Sequence, residues 1–109
     1  MTSNNDIMKD VFTFENDDEK LQFEAEMIHL DIMNEVRMLM NLHGVNKTEL
    51  AKRLKTSKGY VTQLFSGDKL INLKTIAKIQ QIFDVRLTKK FVKKSNADKV
   101  AENAVSYHE

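Results

Sequence analysis

Apolar residues recur every three or four positions along most of the chain, which is the spacing of amphipathic helices. Between residues 17 and 42 this spacing aligns six side chains on one face: Leu21, Ala25, Ile28, Ile32, Val36 and Leu39. Four shorter periodic segments follow at about 46–54, 57–65, 72–83 and 87–92, joined by connections of a few residues. The pattern predicts an all-α fold, a compact bundle of five helices with an extended first helix.

Polar residues and glycines mark where these helices begin and end. Gly44 suits the position after the first helix, because glycine readily adopts the left-handed conformation found there. Asn46 and Glu49 have the spacing of a capping box at the start of the second helix. Asn72 is placed to cap the fourth helix, and the third is expected to stop before Gly67.

The two ends of the chain lack a sustained apolar face. Residues 1–16 are predicted to form an acidic, flexible arm, and residues 95–109 a disordered or frayed tail. Residues 17–94 then form one domain, and its short fifth helix is expected to turn Leu87 and Phe91 toward the core.

The composition excludes several kinds of site. With no cysteine among 109 residues, the chain has no disulfide, thiolate metal site or cysteine nucleophile. The absence of proline and the presence of only three glycines argue against an all-β fold. No apolar run approaches the roughly 18 residues of a membrane span, and the first residues do not resemble a secretory signal. We expect a cytoplasmic protein.

The charge is divided along the chain. Residues 1–43 carry ten acidic and three basic side chains, whereas residues 44–94 carry thirteen basic and three acidic ones. The total of +1 therefore conceals a net charge of +10 in the second stretch. Such a basic region suggests a polyanionic partner, although lysines also serve simply to solvate helices.

The second and third helices have the spacing of a helix-turn-helix at about residues 46–66, in which the second helix of the motif enters the major groove of DNA. At about 100° per residue, one side of the third helix is apolar. The other side, its polar face, carries Lys58, Gly59, Thr62 and Gln63. Lysine and glutamine can pair with base edges, and glycine allows close approach of the backbone. Every amphipathic helix has a polar side, however, so this face alone does not distinguish base reading from a solvated surface.

Candidate phosphate contacts lie near the starts of the second, third and fourth helices. Helix N-termini attract phosphate through free N–H groups and the helix dipole. The basic, amide and hydroxyl side chains near these starts are Lys47, Thr48, Ser57, Lys69, Asn72 and Lys74. They are expected to fix the register on the DNA backbone while the polar face contacts bases. For each of these lysines, a solvated surface position is about an equal alternative.

Residues 45–83 resemble the XRE family of lambda-repressor-like helix-turn-helix domains. The resemblance rests on Thr-Glu-Leu-Ala at 48–51, Val-Thr-Gln-Leu at 61–64, Ser-Gly at 66–67, and the pattern formed by Leu73, Ile76 and Ala77. It implies a DNA-binding bundle of about five helices. Members of the XRE family are mostly bacterial or phage proteins, many of them dimeric repressors and some of them antitoxins.

The resemblance also assigns positions. It implies that the polar face, Lys58, Gly59, Thr62 and Gln63, contacts bases, and it adds Tyr60 to the phosphate contacts. In the turn of the motif, Lys55 stands where the family often has glycine. A lysine adopts a left-handed conformation there only at some energetic cost.

The first helix is longer than a minimal domain of this family requires. It carries a second apolar group on the side opposite Leu21, formed by Phe23, Met27 and Leu30. Because exposed apolar patches usually mark interfaces, these three residues are predicted to form a homodimer or partner contact. The alternative is that the N-terminal arm folds back over them.

No catalytic constellation, metal-ligand spacing or cofactor motif is found, so enzyme activity is not expected. His29 and His43 are expected to be ordinary surface or boundary residues.

Two functions remain open. The first is a sequence-specific, dimeric repressor that binds a palindromic operator in double-stranded DNA, and the second is an antitoxin; the two functions can overlap. An antitoxin would bind a toxin protein through its N-terminal region and repress its own operon.

Overall fold

The computed structural model describes residues 16–94. It contains four helices, which we number α1 (Asp17–His43), α2 (Lys47–Leu54), α3 (Lys58–Ser66) and α4 (Leu73–Phe83). No strand occurs within these residues, so the prediction of an all-α fold is confirmed for them. The predicted tail and all of the predicted arm except residue 16 lie outside the described residues.

The helix ends lie close to the predicted positions. Asn46 and Asn72 cap α2 and α4 through their side-chain oxygens. Gly44 and Gly67 follow α1 and α3 in the left-handed conformation, at φ of 68° and 87°. These positions favour glycine because any Cβ would be strained there.

The core is formed by one face of each helix together with the segment between α1 and α2. Its buried apolar residues are Met33, Val36, Met40, Val45, Leu50, Ala51, Leu54, Val61, Leu64, Ile79 and Phe83. The largest side chains that are completely enclosed are Leu50, Leu54, Leu64 and Val61. All four belong to α2 and α3, so the helix-turn-helix supplies the largest completely buried side chains of the described residues. Burying each of these leucines contributes roughly 1.5–3 kcal/mol to folding.

The predicted buried face of α1 is wrong in its first half. Leu21 and Ile28 were expected to face the core, but 63% and 61% of their surfaces are exposed. The buried residues of α1 are instead His29, Met33, Val36 and Met40. Their spacing of four, three and four is also helical, and a histidine in the first position conceals the apolar period. Residues 17–22 are all exposed, so no other helix of residues 16–94 covers the beginning of α1.

The expectation that His29 is a surface or boundary residue is also wrong, since only 3% of its surface is exposed. Its ring is hydrogen-bonded on both sides. The Nε2 atom lies 2.8 Å from the carbonyl oxygen of Leu64 in α3, and Nδ1 accepts a 3.0 Å hydrogen bond from the N–H of Ile71. A buried polar group is tolerated when its hydrogen bonds are made in this way.

The predicted fifth helix is not present in the described part of the chain. Residues 85–94 form an irregular segment in which Leu87 is half-buried and Phe91 is fully exposed. Asp84 ends α4 in the left-handed conformation, and the side chain of Gln80 accepts a hydrogen bond from the N–H of Leu87.

The charge pattern explains why this segment is not helical. In a helix, Lys89 and Lys93 would lie one turn apart, as would Lys90 and Lys94. Like charges at this spacing oppose extension of a helix past residue 92, and the predicted helix of six residues is unstable by itself without extensive packing. The apolar spacing of Leu87 and the residues after it was therefore not sufficient to predict the structure.

Candidate nucleic-acid interface

The helix-turn-helix consists of α2, a short turn and α3. The turn begins at Lys55, whose backbone is left-handed at φ 60° and ψ 49°. It ends at Ser57, whose side chain caps α3. The left-handed lysine costs roughly 1–2 kcal/mol, which helix packing offsets. Leu54 and Val61, exposed by 1% and 0%, lie on the two sides of this turn and belong to that packing.

The polar face of α3 lies on the surface. All four residues that were predicted to contact bases are exposed: Lys58, Gly59, Thr62 and Gln63. The opposite side of the helix buries Val61 and Leu64. The face contains no acidic side chain and presents hydrogen-bond donors and acceptors, as contact with base edges requires.

One edge of the polar face is bordered by Phe65. At about 100° per residue, this half-buried residue projects about 20° from Lys58 around the helix axis. The guanidinium carbon of Arg37, in α1, lies 4.8 Å from the centre of the Phe65 ring. The Nζ atom of Lys47, in the first turn of α2, lies 4.9 Å from the same centre. Both distances are those of cation–π contacts.

The other edge is bordered by Tyr60 and a cleft between the end of α2 and the start of α4. The hydroxyl of Tyr60 lies 3.4 Å from the Thr75 hydroxyl, and the walls of the cleft include Lys55, Lys74 and Lys78. The Nζ atom of Lys78 donates a 3.2 Å hydrogen bond to the carbonyl oxygen of Leu54. Basic side chains therefore lie beside both edges of the polar face.

The N-termini of α2, α3 and α4 are capped in the same manner. Asn46, Ser57 and Asn72 each accept a hydrogen bond from the N–H three residues later, at 2.8, 3.0 and 2.8 Å. Such a cap leaves the first N–H groups of the helix without an intrahelical partner. The carboxylate of Glu49 accepts a hydrogen bond from Arg53, one turn along α2.

The candidate phosphate contacts occupy several surfaces. Lys47 and Thr48 are exposed in the first turn of α2, and Lys74 is exposed in the first turn of α4. Lys69 is exposed in the loop between α3 and α4. Ser57 and Asn72 are the N-terminal caps of α3 and α4, and Tyr60 is half-buried. The starts of α2 and α4 thus carry basic groups beside the two edges of α3, and the phosphate-binding role of each residue stays a prediction.

Arg37 was not among the residues predicted for the site. It is the only lysine or arginine of α1 after Lys20, and the same helix carries seven acidic side chains. A single arginine in an acidic helix could have been noticed in the sequence. Its place beside the polar face could not, because that depends on the contact with Phe65, 28 positions away in the sequence.

The described residues form neither a metal-binding cluster nor a membrane-spanning helix. Between residues 16 and 94 no group of three or more His, Asp or Glu side chains is arranged to hold a metal ion. The helices of that part of the chain are too short or too polar to cross a membrane.

Comparison with known proteins identifies one family. Residues 36–90, about half of the chain, match a family model described as helix-turn-helix. The matched range includes the last eight residues of α1, all of α2, α3 and α4, and both edges of the polar face. No curated protein and no solved structure gives a significant match.

Proposed function

Because the chain belongs to the XRE family of lambda-repressor-like helix-turn-helix domains, we propose that it is a transcriptional regulator that binds specific sequences in double-stranded DNA. The family is one of DNA-binding regulatory domains and not of enzymes. The observation that carries the proposal is the exposed, acid-free polar face of α3, with basic side chains beside both of its edges. A cytoplasmic protein that joins the nucleoid on binding fits this role.

In the proposed complex, α3 lies in the major groove. The side chains of Lys58, Thr62 and Gln63 contact base edges, and Gly59 allows the backbone of α3 to approach the bases closely. Lysine suits guanine, which offers two acceptors, and glutamine suits adenine, which offers a donor and an acceptor. Discrimination between sequences therefore rests mainly on three side chains.

Phosphate contacts hold α3 in place in this complex. Lys47 and Thr48 face one strand from the start of α2, while Asn72 and Lys74 face the other from the start of α4. Ser57, Tyr60 and Lys69 add contacts near the ends of α3. Such contacts fix register and orientation without reading sequence.

We further propose that the protein acts as a homodimer and represses transcription from a palindromic operator. One copy of α3 covers few base pairs, whereas two copies related by a two-fold axis read half-sites about 34 Å apart or a multiple of that. On α1, Met27 and Leu30 are exposed by 43% and 44%, and Phe23 beside them is half-buried. These three residues are the proposed interface.

An antitoxin function is the second candidate. The observation that favours it is that α1 exposes apolar side chains on a further side, with Leu21 and Ile28 more exposed than Met27. A two-fold homodimer would use only the side of α1 that carries Phe23, Met27 and Leu30. The side that carries Leu21 and Ile28 would then remain available to a second protein. In this case the N-terminal region binds a toxin and the helix-turn-helix represses the operon that encodes both.

Selection from a random library of DNA duplexes tests the proposal. We would perform it at about 150 mM salt, because lower salt favours non-specific binding. An enriched palindrome would support a dimeric, sequence-specific regulator, and the half-site spacing would give the dimer geometry. Binding without enrichment would contradict sequence-specific readout. Retention of a small toxin-like protein by residues 1–42 within the full chain would then favour the antitoxin.

A further inference from the structure

Two positive charges from different helices lie on one aromatic ring. The guanidinium of Arg37 and the ammonium of Lys47 are 4.8 and 4.9 Å from the centre of the Phe65 ring, so they are less than about 10 Å apart. Each is attracted to the ring, but the two repel each other. An anion placed between or above them would relieve that repulsion.

The protein itself supplies no such anion among its described residues. Between residues 16 and 94, no carboxylate forms an ion pair with Arg37 or Lys47. The acid closest to Lys47 along α2 is Glu49, whose Oε2 atom already lies 3.0 Å from Nε of Arg53. Along α1, the positions three and four residues from Arg37 are occupied by Asn34, Met40 and two further uncharged residues.

The ring also lies beside the polar face of α3. By the same helical arithmetic, Phe65 projects about 20° from Lys58 and about 60° from Thr62 around the axis. Cations held over this ring are therefore at the edge of the surface that would enter the major groove. The walls of that groove are rows of phosphate groups.

From this geometry we infer that Arg37 binds a phosphate of the DNA backbone together with Lys47, and that Phe65 is a positioning residue that holds both cations at the edge of the groove. The inference rests on the proposed DNA-binding function. It assigns a role to a residue of α1 that lies ten positions before the helix-turn-helix begins. The expected ligand is the phosphodiester backbone and not a base, so the contact adds affinity and orientation without sequence preference.

The test is the salt dependence of binding, measured with the operator duplex that the library selection identifies. Arg37→Gln should lower the slope of log K against log[salt] by about 0.9, the value for one phosphate contact on duplex DNA. It should also weaken binding about tenfold, as expected for one charge-assisted hydrogen bond. The loss should be equal for the operator and for an unrelated duplex.

Arg86→Gln is the matched control. It removes the same charge, but Arg86 lines a groove with Ile32 and Leu39, which project about 140–160° from Arg37 around α1. The salt slope and the DNA affinity of the Arg86→Gln protein should remain close to those of the unchanged protein. Arg37→Lys should retain the slope, because the charge is kept.

Phe65→Leu separates positioning from charge. It preserves an apolar side chain in the half-buried position but removes the ring, so we expect binding two- to threefold weaker with a nearly unchanged slope. Thermal unfolding of each variant tests whether the fold is retained, and we expect a cooperative transition for all of them.

Two results would overturn the inference. One is an Arg37→Gln protein whose slope and affinity equal those of Arg86→Gln. The other is a loss confined to one base pair of the operator, which would make Arg37 a base contact. In both cases the unchanged protein still binds DNA and the proposed function stands, whereas failure of the unchanged protein to bind any duplex would refute both.

Discussion

The Nε2 atom of His29 lies 2.8 Å from the backbone carbonyl oxygen of Leu64, and this hydrogen bond joins α1 to the C-terminal part of α3. The other ring nitrogen, Nδ1, accepts the N–H of Ile71. Because Nδ1 accepts, the neutral ring carries its proton on Nε2 and donates it to the Leu64 carbonyl. A single buried side chain thus holds both the proposed recognition helix and the loop after it against α1.

His29→Leu should lower the free energy of unfolding by about 2–3 kcal/mol, because the N–H of Ile71 would lose its partner and an isobutyl group cannot replace the hydrogen bonds. Urea unfolding followed by circular dichroism measures the change. His43→Leu is the control, since His43 is exposed and a leucine can still contact Phe83 beside it. Its effect should stay below about 1 kcal/mol. Equal midpoints for the two variants would contradict a structural role for His29.

Lys55→Gly should stabilise the protein by about 0.5–1 kcal/mol. Glycine removes the strain of a left-handed lysine at φ 60°, and part of that gain is offset by the greater freedom of glycine in the unfolded chain. Lys52→Gly is the control with the opposite sign, because Lys52 lies within α2, where glycine costs about 1 kcal/mol. Thermal unfolding distinguishes the two. A destabilised Lys55→Gly protein would show that the lysine side chain makes a stabilising contact in the turn.

The helix ends were predictable from the sequence because they depend on near neighbours. A cap such as Asn46 needs only an N–H three residues later, and Gly44 needs only the end of α1 before it. The buried face of α1 was not predictable in the same way. It depends on which helices cover α1, and the partners of His29 lie 35 and 42 residues away.

The same distinction between near neighbours and distant contacts applies to the candidate site. The polar face of α3 was predictable from the spacing of about 100° per residue. One side of this helix is apolar and buried, so the opposite side is exposed. The place of Arg37 was not predictable, because the contact joins α1 to α3 through Phe65. The missing fifth helix shows the limit of apolar spacing in a segment with repeated lysines.

Met27→Asp should convert the proposed homodimer to monomers, because an aspartate in the apolar interface would be desolvated without a partner. Sedimentation velocity measures the mass directly. Met38→Asp is the matched control, since Met38 is exposed by 61% on α1 but lies about 16 Å farther along the helix. An unchanged mass for Met27→Asp would contradict the interface proposed at Phe23, Met27 and Leu30.

Gln63→Ala and Lys74→Ala should have different effects on DNA binding, one on sequence preference and the other on affinity for all sequences. Gln63→Ala removes a proposed base contact, so it should cost about 1–3 kcal/mol at one operator position and relax the preference there. Lys74→Ala removes a proposed phosphate contact, so it should weaken binding to all sequences alike and lower the salt slope by about one. Competition binding with a set of single-base operator variants measures both. If each variant weakens every sequence equally, the assignment of the polar face to base reading is wrong.

Gly59→Ala should stabilise the fold while weakening DNA binding. A Cβ added at Gly59 would meet only the Ser57 hydroxyl, at an ordinary 3.8 Å, so alanine should raise the free energy of unfolding by about 0.5–1 kcal/mol. The same methyl group would keep the backbone of α3 away from the bases if close approach is used. Gly67→Ala is the control for strain, because its φ of 87° should make alanine destabilising. Unfolding and operator binding are measured on the same preparations, and unchanged affinity for Gly59→Ala would contradict a close approach of α3 at this position.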